Sequence, residues 1–229
     1  MTDPSASTSR ALPQSLFAFA IFYGGMVCIA GVLGNKQVAL GPLSAIGPLV
    51  GLGPLAVEAG IFAFLMLVVT SSSVAELHGR DTANKLVLIG FIPLIFSLFL
   101  SLAVLRLPAA HDMDPARLTA FETIMGGTPR IWLGGILAYG ISTLLNVSIF
   151  SRLKGQEGEK LLWLRSGVAS ALSQIVDTLI FITVAFYGVF PIGELLLGQM
   201  LAKVVLSLIL VPPLIYGFVA LGRRLDGKS

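Results

Sequence analysis

Residues 85–106 read KLVLIGFIPLIFSLFLSLAVLR, with a lysine and an arginine at the two ends and no charge between them. A helix needs about 20 mostly apolar residues to cross the ~30 Å hydrocarbon core of a bilayer, and this stretch supplies them. Outward from it, five more segments qualify, at about 13–34, 57–77, 130–151, 163–189 and 192–221. The expected fold class is therefore all-α: a polytopic membrane protein built as a bundle of six transmembrane helices. Residues 1–12 read as a polar, disordered cytoplasmic tail, 13–222 as one transmembrane domain, and 223–229 as a second cytoplasmic tail.

Composition points the same way. The chain has 229 residues, of which 55% are hydrophobic and 12% charged, and its mean hydropathy is +0.91. A soluble domain carries about 25% charged residues, so water is not the main solvent here. The sequence pI near 9.2 does not indicate nucleic acid, because the basic residues sit between apolar runs and form no stripe on one face. The single cysteine, Cys28, excludes an internal disulfide and a multi-thiolate metal site. The first apolar run is too long for a signal sequence and lacks a cleavage site after it, so it reads as a retained span.

Ten Lys and Arg residues lie in the segments on the N-terminal side of the membrane: Arg10, Arg80, Lys85, Arg152, Lys154, Lys160, Arg165, Arg223, Arg224 and Lys228. Four lie on the other side: Lys36, Arg106, Arg117 and Arg130. The bias places both chain ends in the cytoplasm of a bacterial inner membrane. Of the outer loops, residues 39–56, ALGPLSAIGPLVGLGPLA, are apolar but broken by three Gly-Pro units. Proline at that density cannot hold a spanning helix, so the segment reads as a loop with two short strands or a re-entrant piece packed on protein. Residues 107–129 form the second outer loop, with a short amphipathic helix expected at 115–125.

A charge at the bilayer centre costs about 2.5–3.5 kcal/mol on insertion scales, so the charges that cannot reach water are informative. Asp177 lies roughly 18 Å into the fifth span and Lys203 roughly 16 Å into the sixth from the opposite face, at 1.5 Å per residue. The two meet at similar depth, and an ion pair between them would offset much of each desolvation cost. Ser173 and Gln174 precede Asp177 by one turn. Asn146 is an amide inside the fourth span and needs a partner. Glu58 and Glu76 lie near opposite ends of the second span, with the hydroxyl run Thr70–Ser73 between them, and Glu58 reaches the outer interface. Asn35 and Lys36 close the first span, where an amide and a cation suit a helix C-terminus. Zinc-protease, nucleophile-elbow and phosphate-loop motifs are absent, and His78 and His111 have no ligand-spaced companions. Neither enzyme chemistry, nor a metal, nor a cofactor is expected.

Several segments together resemble the queuosine precursor transporter family, also called the vitamin uptake transporter family, whose members are similar to the substrate-binding subunits of energy-coupling-factor transporters. They are Asn35-Lys36, Glu76-Leu77-His78-Gly79 with Ala83 and Gly90-Phe91, Pro129-Arg130-Ile131, Ala138-Tyr139, residues 161–188 (LLWLRSGVASALSQIVDTLIFITVAFYG), and Lys203 with Pro212 and Tyr216. The resemblance implies import of a 7-deazaguanine base such as preQ0 or preQ1. A guanine-like edge offers two adjacent N–H donors and a carbonyl. One carboxylate can accept both donors, and an amide or cation can meet the oxygen. Asp177, Gln174, Glu76, Asn35 and Lys203 would supply those groups, with Lys36, Asn146 and Ser173 beside them and Phe62 or Phe64 stacking on the ring. The chain departs from the family pattern in having Ser71-Ser72, His78, Thr143 and Asn146 where Thr-Asp, Tyr, Gln and Asp are usual. Queuine, another purine-like base or an unrelated ligand therefore stay open. So does a vitamin-binding subunit that needs an external energy-coupling ATPase module. The expected partners are a small purine-like substrate, membrane lipid, and such a module or a second copy of the chain.

Overall fold

A computed structural model of the chain describes residues 12–153 and 162–227, with side chains left out at 143–144, 146–153, 162–171, 173–174 and 207–208. The first helix, α1 (Gln14–Leu33), is apolar around its whole circumference. Ser15, Phe19, Tyr23, Val27 and Gly31, four residues apart, are buried against the protein. Phe17 and Ile21 on the other face are about three-fifths exposed. In α4 (Arg80–Val104), Leu86, Gly90 and Leu94 turn inward, while Leu88, Ile92, Phe96 and Phe99 form an exposed stripe. Large apolar side chains pointing outward along whole helices fit lipid as the surrounding solvent.

Between α1 and α3 (Gly60–His78), the Gly-Pro segment folds into a compact cap. Strands β1 (Gln37–Ala39) and β2 (Ala56–Glu58) pair antiparallel, with Gln37 opposite Glu58 and Ala39 opposite Ala56. A 3₁₀ turn (Gly41–Ala45) and the four-residue α2 (Ile46–Leu49) fill the space between them. Gly41 and Gly51 take φ of +59° and +76°, a region open to glycine and strained for other residues. Ser44 fastens the cap by accepting from the Leu40 amide and donating to the Leu55 carbonyl. The expected pair of short strands is present, and β2 takes Glu58 out of the helix in which the sequence reading had placed it.

Two further expectations change. The separate helix at 115–125 does not form. Instead α5 runs from Pro115 to Leu153 without a break, with Pro129 inside it. Its 39 residues make a rod about 58 Å long at 1.5 Å per residue. The Thr128 hydroxyl bonds back to the Ile124 carbonyl beside that proline. The segment at 192–221 is not one helix but two, α7 (Ile192–Ile209) and α8 (Val211–Leu225), which meet at 53°. Pro212 and Pro213 begin α8. Each lacks an amide donor and crowds the preceding turn, so the ladder cannot continue through them. With α6 (Leu162–Phe186), these complete the bundle.

Among the described residues, α1, α3 and α4 are long and apolar enough to cross a membrane, and the bent pair α7–α8 is a fourth if it crosses as one. Helices approach closely where side chains are small, as expected where burial from water is not the drive. Gly31 lies against the Trp132 indole and Gly90 against the Tyr23 ring, with no room for a Cβ at either. Gly198 of α7 sits against the Ala56 carbonyl, which seats the cap on that helix. The cap is held there a second time by Glu194, whose Oε1 accepts from the Gly53 amide at 3.0 Å.

The far end of the bundle is tied differently. The Ser15 hydroxyl donates to Asp226 Oδ2 at 2.7 Å, and the Ser15 amide donates to Oδ1 at 2.9 Å. His78 Nε2 lies 2.7 Å from the same hydroxyl. Because that hydroxyl proton goes to Asp226, the imidazole nitrogen is the donor here. The trio joins the first turn of α1, the end of α3 and the end of α8. Its carboxylate holds the serine rather than orienting the histidine, so it is not a nucleophilic triad. Phe19 stacks on Phe218 just above it, with ring centroids 5.6 Å apart.

Candidate functional site

The bundle holds a half-open cavity of about 360 Å³, within the usual range for small-molecule sites, which run to roughly 300–1,000 Å³. Its lining comes from residues 23–31 on α1, Glu58 on β2, 60–71 on α3, 87–94 on α4, 131–142 on α5, 177–181 on α6 and 199–203 on α7. Six aromatic rings face it, from Tyr23, Phe64, Phe91, Trp132, Tyr139 and Phe181. The Trp132 indole N–H is satisfied by the Cys28 carbonyl at 3.2 Å, which fixes the ring plane. On the capless side Val74 and Ser73 are fully buried, and Thr70, Ser71 and Ser73 bond back to carbonyls of their own helix. The hydroxyl run of α3 is thus self-satisfied, which lets it pack closely, and Ser71 lines the cavity.

Two acidic groups enter the cavity from different elements. The first is Asp177 on α6. Its Oδ2 accepts from Lys203 Nζ at 3.2 Å, and its Oδ1 from the Ser142 hydroxyl at 3.2 Å. Lys203 also donates to the Thr178 hydroxyl at 2.9 Å and lies 5.3 Å above the centre of the Phe64 ring. The ion pair expected between Asp177 and Lys203 is therefore present, and it presents one carboxylate, one ammonium and one ring to the same space. A desolvated cation gains from the negative face of an aromatic ring, by about 0.5–2 kcal/mol.

The second acid is Glu58. It lies in β2, ahead of the first residue of α3 and outside the spanning helices, and it is 3% exposed. Oε1 accepts from Gln199 Nε2 at 3.1 Å. Oε2 has no hydrogen-bond partner among the described residues, and neither has Gln199 Oε1. Burial pushes the Glu58 carboxyl up to about 7. The Gln199 bond, the nearby Gly60 amide and the more distant Lys203 charge pull it down less strongly. The Gly60 amide favours the charged form by proximity and by its place at the start of α3, but it makes no well-directed bond to Oε2.

Of the residues singled out from sequence, Phe64, Asp177 and Lys203 come together here. Asn146, Ser173 and Gln174 have side chains outside the described residues. Asn35 does not line the cavity: its Nδ2 caps α1 through the Gly31 and Val32 carbonyls and bridges to the Thr128 hydroxyl at 2.8 Å. Lys36 and Glu76 are exposed and lie off the cavity, at the cap and at the opposite end of α3. Phe62 is 45% exposed and points elsewhere. Gln199 was missed. It precedes Lys203 by four residues, one turn on the same face, and that spacing was the available signal. Glu58 was noticed, but no periodicity could reveal a strand that turns it inward.

Comparison with known proteins gives two matches. The family model described as "Putative vitamin uptake transporter" matches residues 58–217. A Bacillus subtilis (strain 168) protein called "Probable queuosine precursor transporter" is 38% identical over 142 residues, covering 60% of this chain and 61% of that protein. The chain thus spans about three-fifths of the length of the curated relative it matches. No solved structure matches.

Proposed function

Because the chain belongs to the vitamin uptake transporter family, we propose that it imports a small purine-like base, with a 7-deazaguanine such as preQ0 or preQ1 as the first candidate. In this reading α5 and α6 also cross the bilayer and α7–α8 cross as one bent span. That makes six spans, a bundle resembling the substrate-binding subunits of energy-coupling-factor transporters. Both chain ends lie in the cytoplasm of a bacterial inner membrane, and the cap faces outward. The base enters the cap half of the bundle, with its ring among the aromatic side chains and its polar rim toward Asp177 and Lys203. Ser173 and Gln174, about one turn before Asp177 in the sequence of α6, and Asn146 of α5 stay as further proposed contacts.

What supports carriage is the half-buried Asp177–Lys203 pair facing a cavity of ligand size. A structural scaffold would have no use for two desolvated charges turned toward empty space. The Bacillus relative's name supplies the substrate class. The energy source is either a gradient acting on this chain or an external ATPase module docked on it, and a second copy is the other natural partner.

Uptake by cells that lack their own route tests the reading. Labelled preQ0, preQ1 and queuine are supplied to cells expressing the wild type or Asp177→Ala, and queuosine is measured in their tRNA. The expected result is label in tRNA with the wild type and a loss of at least tenfold with Asp177→Ala. No queuosine from any of the three bases, with the wild type present in the membrane, would rule out this substrate class.

A further inference from the structure

Asp177 is the acid that sequence reasoning assigns to the paired N–H donors of the base, and in the structure each of its oxygens already accepts one bond. One oxygen holds Lys203 and the other holds Ser142. Two acceptors with no bond at all lie on β2 and α7, where Glu58 Oε2 and Gln199 Oε1 are both buried, both without a partner among the described residues, and both on residues lining the cavity. An unsatisfied buried acceptor costs about 1–3 kcal/mol, and more for a charged one, so two in contact residues call for an explanation.

We infer that Glu58 Oε2 and Gln199 Oε1 form the specificity site of the transporter, accepting two adjacent N–H donors from the edge of a planar ligand. This rests on the proposed carriage of a purine-like base. A 2-amino-pyrimidinone edge carries the required donors, a ring N–H beside an exocyclic amine. The Gln199 Nε2 bond to Glu58 Oε1 couples the two residues, so a small shift of the pair would turn both remaining oxygens to the cavity together. Gly60 and Gly34 both approach Oε2, and a Cβ at Gly60 would collide with it. The oxygen is thus reached past backbone, which suits a flat edge and excludes bulk. Lys203, with its ammonium already turned into the cavity, is left to meet the ring carbonyl. A site built to pair with donors rejects the analogue that lacks one far more strongly than an apolar pocket would, because its own acceptors are left bare.

The test is binding to the purified full-length protein in lipid nanodiscs, using 7-cyano-7-deazaguanine and its analogue without the 2-amino group. The wild type should favour the amino compound by at least thirtyfold. In Glu58→Gln the ratio should fall to within threefold of unity, and in Gln199→Met it should fall about tenfold. Asp177→Asn should weaken both compounds and leave the ratio near that of the wild type. Should the ratio persist in Glu58→Gln and Gln199→Met, or vanish only in Asp177→Asn, this assignment is wrong while the substrate class stands. Should neither compound bind a monodisperse wild-type protein, the substrate class fails and the assignment with it.

Discussion

The two acids of the cavity make an instructive pair. Asp177 sits on a spanning helix and is met by a lysine and a serine. Glu58 sits on a strand of the cap, is more deeply buried, and has one oxygen and its partner amide's oxygen unmet. A charge neutralised within the fold contributes to holding that fold. An acid left unmet weakens it, a cost that functional sites commonly carry. One cavity therefore holds a wall that is complete without a ligand and a wall that is not.

That contrast can be broken most sharply at Lys203. Lys203→Ala leaves Asp177 without its cation; removing one partner of a fully buried pair costs about 3–5 kcal/mol, and this half-buried pair should lose a smaller share of that. The apparent melting temperature should drop steeply, while Asp177→Asn with Lys203→Met together should recover most of the loss. A single variant no worse than the double would show that the pair does not hold the bundle. Glu58 should behave in the opposite way. Its carboxyl is raised to about 7 from 4.5, so the folded state binds a proton that the unfolded state has already lost between those values. The associated stability is fully present below about pH 4.5 and is lost as pH rises through 7, by about 3 kcal/mol in all. Melting temperatures from pH 5 to 8 should fall more steeply for the wild type than for Glu58→Gln, and the variant should be the more stable at pH 8. Parallel pH profiles would remove the claim that Glu58 burdens the fold.

Smaller effects sharpen the same comparison. A methyl at Gly198 has no room against the Ala56 carbonyl, and overpacking of this kind costs about 1–3 kcal/mol. Gly198→Ala should move the cap off α7 and weaken ligand binding through Glu58 and Gln199, leaving the Asp177 pair intact. Asn35→Ala should be mildest, costing about 1 kcal/mol for the lost cap bonds, with no change in binding. An effect of Asn35→Ala on affinity without one on stability would return that residue to the binding site.

Hydropathy made the spanning helices legible, since twenty apolar residues between charges admit few structures in lipid. The meeting of Asp177 and Lys203 was legible for a related reason, because depth follows from residue count along a helix. The cap was only half legible. Three Gly-Pro units rule out a helix, but the pairing of Gln37 with Glu58 is a contact across 21 positions that no local pattern encodes. The continuity of α5 through Pro129 and the break of α7–α8 before Pro212 show one residue type acting in two ways. A lone proline was absorbed by its helix, whereas two in succession ended one.

The link from Ser15 to Asp226 spans 211 positions, and it bears on how the protein is made. Once α3 is made His78 can reach the hydroxyl of Ser15, but the serine's own donors still lack a partner. Its acceptor is among the last described residues to leave the ribosome. Until then that end is joined by His78 and the packing of α1 on α3, and α8 adds the carboxylate that ties all three helices. The tie among α1, α3 and α8 is therefore completed only with Asp226, whatever order the earlier helices take.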